Sequence, residues 1–202
     1  MRKRSILYIA LVLAPLAAAA QSSVGGAWGS LQVGTTWGDG WYANLRNEYR
    51  MRDGKTDLWF VRPTVGKRLT PWLKADIGFD RFETSAAVQW RGLLSLTFIL
   101  KQGPLTASLR ERYIRSYTPD TDTWGNLLRS QLKVAYAVPG TVLKPYVAIE
   151  IYAWGHWRQT HHFVGCQLTV AKGHNIDLFY VYATSATKPE AHIAGIGYEL
   201  TL

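Results

Sequence analysis

Residues 192–202 read His-Ile-Ala-Gly-Ile-Gly-Tyr-Glu-Leu-Thr-Leu. In an extended chain Ile196, Tyr198, Leu200 and Leu202 share one face, and Gly195, Gly197, Glu199 and Thr201 share the other. Strict alternation of this kind marks a strand with two unlike faces. The pattern recurs immediately upstream, where Ile176, Leu178, Tyr180 and Tyr182 oppose Asp177, Phe179, Val181 and Ala183. It continues back through the chain at 162–171, 143–154, 124–138, 105–115, 88–100, 72–82, 58–69 and 41–51. Most of these segments exceed the five or six residues (about) of an ordinary globular strand, and they suit a tilted membrane crossing of about 9–11 residues. The predicted fold is all-β: an antiparallel, up-and-down transmembrane barrel of about ten strands. Pro63 and Pro145 each remove a ladder donor, so a bulge or a strand end is expected at both.

The connections between strands carry their own pattern. Residues 52–56, 116–123, 155–159 and 185–191 read as longer polar loops. Thr70-Pro71, Gly103-Pro104, Pro139-Gly140 and Gly173-His174 read as tight turns. Short turns at one rim and longer loops at the other describe a periplasmic and an outer end, with the C-terminus on the periplasmic side. Leu31 to Trp37, ahead of the Gly38-Asp39-Gly40 turn, is an eleventh candidate strand. Bacterial single-chain barrels have even counts. The segment is therefore expected to be a lead-in to ten strands, or else 22–28 hides a twelfth.

The N-terminus reads as an export signal. Arg2, Lys3 and Arg4 precede an apolar run from Ile6 to Leu16, and Ala18-Ala19-Ala20 fits an A-x-A cleavage site. Residues 1–20 are thus expected to be removed, leaving 21–202 as a single barrel domain exported to the outer membrane. The full chain carries 23 Lys and Arg against 14 Asp and Glu; without the three leading cations the balance is 20 against 14, or +6. Export makes nucleic acid an improbable partner despite that charge. A single Cys excludes an intrachain disulfide framework and a Cys-rich metal site.

Alternation alone does not say whether the apolar face meets lipid or a dry interior, and an exported soluble barrel would alternate too. Strand length favours lipid. So do the aromatics towards strand ends, Trp41, Trp59, Trp72, Trp90, Trp124 and Trp154, where interfacial girdles lie. The polar face then points inward. It carries Arg46, Glu48, Arg50, Arg62, Arg110, Arg112, Arg129, Glu150, Asp177 and Glu199, together with Lys74, Asp76, Asp80, Arg91 and Lys133. Unpaired buried charge is costly, so these groups are expected to pair into a lumen charge ladder. A barrel of this size is nearly filled by side chains, which favours a plugged, structural or interaction role over the alternative of a narrow anion-preferring pore. Glu111 is the exception, because it falls on the apolar face.

These residues resemble a known family. The series is Glu48-Tyr49-Arg50, then Leu109-Arg110-Glu111-Arg112-Tyr113, then Leu127-Leu128-Arg129-Ser130-Gln131-Leu132. Lys144-Pro145-Tyr146 leads to Glu150-Ile151-Tyr152, and the Asp177-Leu178-Phe179-Tyr180 and His192-Ile193-Ala194-Gly195 strands close it. Their order is similar to that of the domain-of-unknown-function 2490 family. The resemblance implies a Gram-negative outer-membrane β-barrel without an established activity. Leu202 stands where outer-membrane barrels usually end on an aromatic residue, a departure that bears on recognition by the barrel-assembly machinery.

Enzymatic motifs are absent from the sequence: there is no G-x-S-x-G elbow, H-E-x-x-H helix or phosphate-binding Gly loop. A third alternative, a lipid-modifying enzyme at the rim, would have to draw on Ser116, Glu150, His156, His161 and His162. No spacing rule selects that set. His161 and His162 are adjacent and should face opposite ways on a strand, which argues against a shared metal. Neither a catalytic set, a metal site nor a cofactor is expected. Arg52, Lys55, Arg158 and Lys188, with Arg115 nearby, could meet outer-membrane lipid and the phosphates of lipopolysaccharide.

Overall fold

Every strand edge is paired with another strand. In the computed structural model, which describes residues 24–202, eleven strands form one closed barrel. They are β1 (Val24–Trp37), β2 (Trp41–Arg52), β3 (Lys55–Thr70), β4 (Leu73–Thr84), β5 (Val88–Gln102), β6 (Leu105–Thr118), β7 (Thr123–Tyr136), β8 (Leu143–Trp154), β9 (His156–Ala171), β10 (His174–Ser185) and β11 (Ala191–Thr201). The export signal read over 1–20 lies outside the described residues.

The ten strands read from the alternation are β2 to β11. The count differs by one because the supposed lead-in and the supposed twelfth strand are a single strand, β1. Consecutive strands are antiparallel. With an odd number the first and last run the same way, so β1 and β11 pair in parallel, from Val24 opposite Ala191 to Gly34 opposite Thr201. Val24 therefore stands at one rim, here called upper, and Leu202 at the lower rim with the 38–40 turn.

The expected contrast in loop length is not present. Asp53 and Gly54 alone join β2 to β3, and Gly155 alone separates β8 from β9. Asp53 and Gly54 both have positive φ (50° and 69°), as the two central residues of a type I′ turn require. The polar residues taken for loops belong instead to strands that extend to the rim. Of the prolines, Pro145 sits near the start of β8 and has no partner on β7. Pro63 is neither at a bulge nor at a strand end: the β3–β4 ladder lapses between Val61 and Thr64 and resumes in the same register.

The outward face is apolar. Leu31, Leu45, Ile77, Leu94, Leu132, Val164 and Ile196 project from the middle of their strands and are 47–63% exposed. Trp37, Trp41 and Trp72 form an aromatic band at the lower rim; Trp90, Trp124, Trp154 and Trp157 form one at the upper rim. An aliphatic belt between two aromatic girdles is the surface a bilayer requires.

Inside, tyrosines lie across glycines. Tyr42 on β2 pairs with Gly66 on β3, which pairs with Asp76 on β4. The phenol crosses the glycine and donates to Asp76 at 3.2 Å. Tyr146 on β8 likewise crosses Gly165 on β9 and donates to Asp177 on β10 at 3.0 Å. A Cβ at Gly165 would lie 2.6 Å from the Tyr146 ring and 2.9 Å from the Leu178 carbonyl oxygen. Gly165→Val should therefore destabilise the barrel by about 2 kcal/mol through overpacking. Gly92→Val, where an added Cβ meets nothing within 4 Å, should be near neutral. Urea unfolding in detergent, followed by tryptophan fluorescence, measures both; equal midpoints for the two variants would refute the slot.

Candidate functional site

Because side chains alternate, one parity of residues from all eleven strands shares the lumen. The predicted ladder residues converge there in separate groups. On β2, Glu48 lies between Arg46 and Arg50, with Arg46 Nη2 at 2.8 Å and Arg50 Nη2 at 2.6 Å. Across β6, β7 and β8, Arg129 donates to both oxygens of Glu150 at 2.5 and 2.9 Å. Arg110 donates to the same carboxylate at 3.2 Å, and the Tyr152 hydroxyl at 2.8 Å. Glu150 is fully buried, so this saturation of its lone pairs is what permits its charge.

A third group spans β3, β4 and β5. Asp80, also fully buried, accepts from Arg62 at 2.7 Å and from Arg91 at 2.7 and 2.8 Å. Arg112 donates to Ser95 at 2.8 Å and stands 3.9 Å from Asp76. Asp177 and Glu199 are held by neutral partners, Tyr146 and Gln32. The ten residues thus form several clusters, not one continuous ladder.

The lumen is also less purely ionic than its sequence suggested. Its upper half is packed with apolar side chains: Leu58, Phe60, Leu93, Ile114, Phe163, Val181 and Ile193 are all buried. Trp28 is the centre of a septum. Its indole meets Phe163 and Phe179 edge-on, at 5.8 and 5.3 Å between ring centroids, and the Arg50 guanidinium lies 3.4 Å above it. Arg91 stacks on Phe82 at 3.4 Å in the same way. Aromatic faces hold these guanidinium planes where water is excluded. Sequence reading missed Trp28, Phe60, Phe163 and Phe179 as a group. The available signal was an aromatic side chain in the polar parity of its strand, as Trp28 is with Ser30 and Gln32.

Below the septum the lumen opens into a cavity of about 560 Å³, reaching from Trp28 and Phe163 to Thr36 and Thr201 at the lower rim. Seven of its lining side chains are Lys or Arg and four are Asp or Glu, a surplus of three positive charges. That volume suits a small organic ligand. Toward the upper rim, a separate cavity of about 210 Å³ touches Arg91, Ser116 and Arg158.

Of the residues considered for rim catalysis, Glu150 and His161 are neighbours across β8 and β9, inside the lumen and without a serine. His161 is buried in the lumen, with Nδ1 3.9 Å from Glu150, while His162 points outward and stacks on Tyr182. His156 is exposed at the upper rim. Among the described residues no hydrogen bond joins a serine to a histidine, and no group of three or more His, Cys, Asp or Glu side chains is placed to hold a metal. Of the rim cations, Arg52 and Lys188 are tied to Asp57, at 3.8 and 3.1 Å. The exception noted in the sequence is also real: Glu111 faces outward, and Ser130 donates to it at 2.5 Å.

Residues 25–192 match the family described as "Protein of unknown function (DUF2490)". The chain belongs to that family. No curated protein is similar to it. Among solved structures it is similar to the NanC porin, at 14% identity and a TM-score of 0.58, over 89% of this chain and 98% of that one. It is also similar to the KdgM porin, at 9% identity and a TM-score of 0.52, over 84% and 86% of the two chains. The shared property is the porin-type barrel fold.

The clusters differ in what they contribute. Glu150→Gln leaves Arg110 and Arg129 without a counter-charge and should cost about 3 kcal/mol. Glu199→Gln keeps an amide oxygen that can still accept from Gln32, exchanging a charged acceptor for a neutral one, and should cost about 1 kcal/mol or less. Urea midpoints of the two purified variants measure the difference; a smaller loss at Glu150 than at Glu199 would refute this ranking.

Proposed function

We propose that this protein is a non-enzymatic outer-membrane barrel with a structural and interaction role, whose lower lumen receives acidic solutes and whose septum keeps it closed to through-flow. The observation carrying this reading is the one-ended cavity. Its cationic surplus attracts anions, and the wall that ends it is built from Trp28, Phe163 and Phe179 packed against paired charges. A conducting pore would need a wetted path where Phe60, Val181 and Ile193 are at most 4% exposed. The lower rim, with the C-terminus, is assigned to the periplasm. The upper cations Lys55 and Arg158 are assigned to lipopolysaccharide phosphates, and the barrel-assembly machinery to insertion.

The second reading is a narrow anion-preferring pore, favoured by the surplus of lining cations and by the porin-type fold. Planar-bilayer recording separates the two. The wild-type chain should be silent, whereas Trp28→Ala combined with Phe163→Ala should produce anion-selective steps by opening the septum. Steady steps from the wild type would replace the first reading with the second.

A further inference from the structure

Glu111 sits at the centre of β6, six residues from Leu105 and seven from Thr118. Six residues span about 20 Å along a strand. At a tilt of about 40° that is about 15 Å along the barrel axis, half of an apolar band about 30 Å deep. Its register neighbours are Leu96 on β5 and Ser130 on β7, and Ser130 is in turn opposite Ile151 on β8. Leu94, Leu109, Leu128 and Leu132 surround the pair, each 39–52% exposed. Among the described residues no other acidic side chain faces outward from the middle third of a strand. The remaining outward charges, such as Arg81, Glu83, Arg115 and Lys67, stand nearer the rims, where they meet headgroups and water.

A polar pair in hydrocarbon is stabilised when a second protein surface covers it. The Ser130 hydroxyl is committed to one carboxyl oxygen, and among the described residues no group bonds the other. A closed two-fold interface brings one patch against itself, so the patch must offer donor and acceptor together. Glu111 beside Ser130 does this: the carboxyl group has an oxygen free to accept, and the Ser130 hydroxyl is a donor that can turn to the same group on the facing copy, within a flat aliphatic surround. A foreign partner would have to supply a matching pair at the same depth; a second copy supplies it by symmetry.

We infer that the outer face of β5 to β8 is a self-association surface, on which two copies of this chain meet through their Glu111–Ser130 pairs within the membrane. The interface is independent of the lumen and of the role proposed for it. The contact is a pair of hydrogen bonds enclosed by leucines.

Site-directed cross-linking of the full-length protein in outer membranes tests this. In a Cys166→Ser background, Leu132→Cys should give a dimer with a short bis-maleimide, and Leu31→Cys on β1, across the barrel, should not. Adding Glu111→Leu should cut the Leu132→Cys dimer at least tenfold, whereas Glu111→Gln, which keeps a donor and an acceptor, should retain most of it. The heat-dependent gel shift confirms that each variant is a folded barrel; leucine is suited to a lipid-facing position, so loss of the dimer is not loss of the fold. Equal cross-linking from Leu31→Cys and Leu132→Cys, or a dimer indifferent to Glu111→Leu, would overturn the inference. So would a monomer in which a hydrophobic carbodiimide labels Glu111 as readily in native membranes as in dilute detergent micelles.

Discussion

Pairing of every backbone edge is the constraint on which the rest of this structure depends. A strand edge open to hydrocarbon would leave a row of N–H and C=O groups without partners, at several kcal/mol each. Eleven alternating strands satisfy the constraint only by pairing the two end strands in parallel, which they do over their length. Closure then divides the side chains into two populations that never mix. One parity is exposed and aliphatic between aromatic bands. The other is confined to a cylinder narrow enough for side chains on different strands to meet.

Confinement explains why the lumen contains whole groups and not single pairs. A carboxylate such as Glu150 or Asp80 loses water on every side, and one cation does not replace it. Each is instead met by two arginines drawn from different strands or from both sides of its own, and Glu150 is met by Tyr152 as well. The arginines are then oriented by aromatic rings at Trp28, Phe60 and Phe82. The septum is therefore one packed unit of charge and ring, and its apolar members keep the charges dry enough for the pairing to persist.

The barrel and its two faces were legible in the sequence because period-two alternation is a local property. Nine of the eleven strands could be read within about three residues of their ends, and β9 starts at His156, six residues ahead of the alternation read from 162. The strand missed, β1, contains Gly25, Gly26, Gly29 and Gly34, which blunt the contrast between its faces. The loop contrast was misread because Asp53-Gly54, a strong two-residue hairpin signal, was absorbed into a longer polar segment. The ladder residues were legible as an inward set, but their grouping was not. Which arginine meets which carboxylate depends on register between strands far apart in sequence, as with Arg110 and Glu150. The septum was illegible for a related reason. Phe163 and Phe179 look like ordinary strand residues until Trp28 is brought beside them by the closure of β1 on β11.

The lower cavity owes its cationic character to its count of charges, and two of its lysines stay unpaired because of how the acids near them are satisfied. Asp76 and Asp177 take hydrogen bonds from Tyr42 and Tyr146, each of which reaches its acid across a glycine on the intervening strand. A phenol donates a proton without contributing a charge, so the lysines nearby are not consumed in pairing. Lys133 rests 3.6 Å over the Tyr146 ring and Lys74 lies 5.5 Å over the Tyr42 ring, contacts that orient the ammonium groups and leave their donors free. Glu199 is met by Gln32 in the same charge-neutral manner. Glu48 is met by two arginines and Asp76 has Arg112 at 3.9 Å besides its phenol, but neutral donors at Asp177 and Glu199, with ring faces for the lysines, leave Lys74 and Lys133 without a paired carboxylate among the described residues.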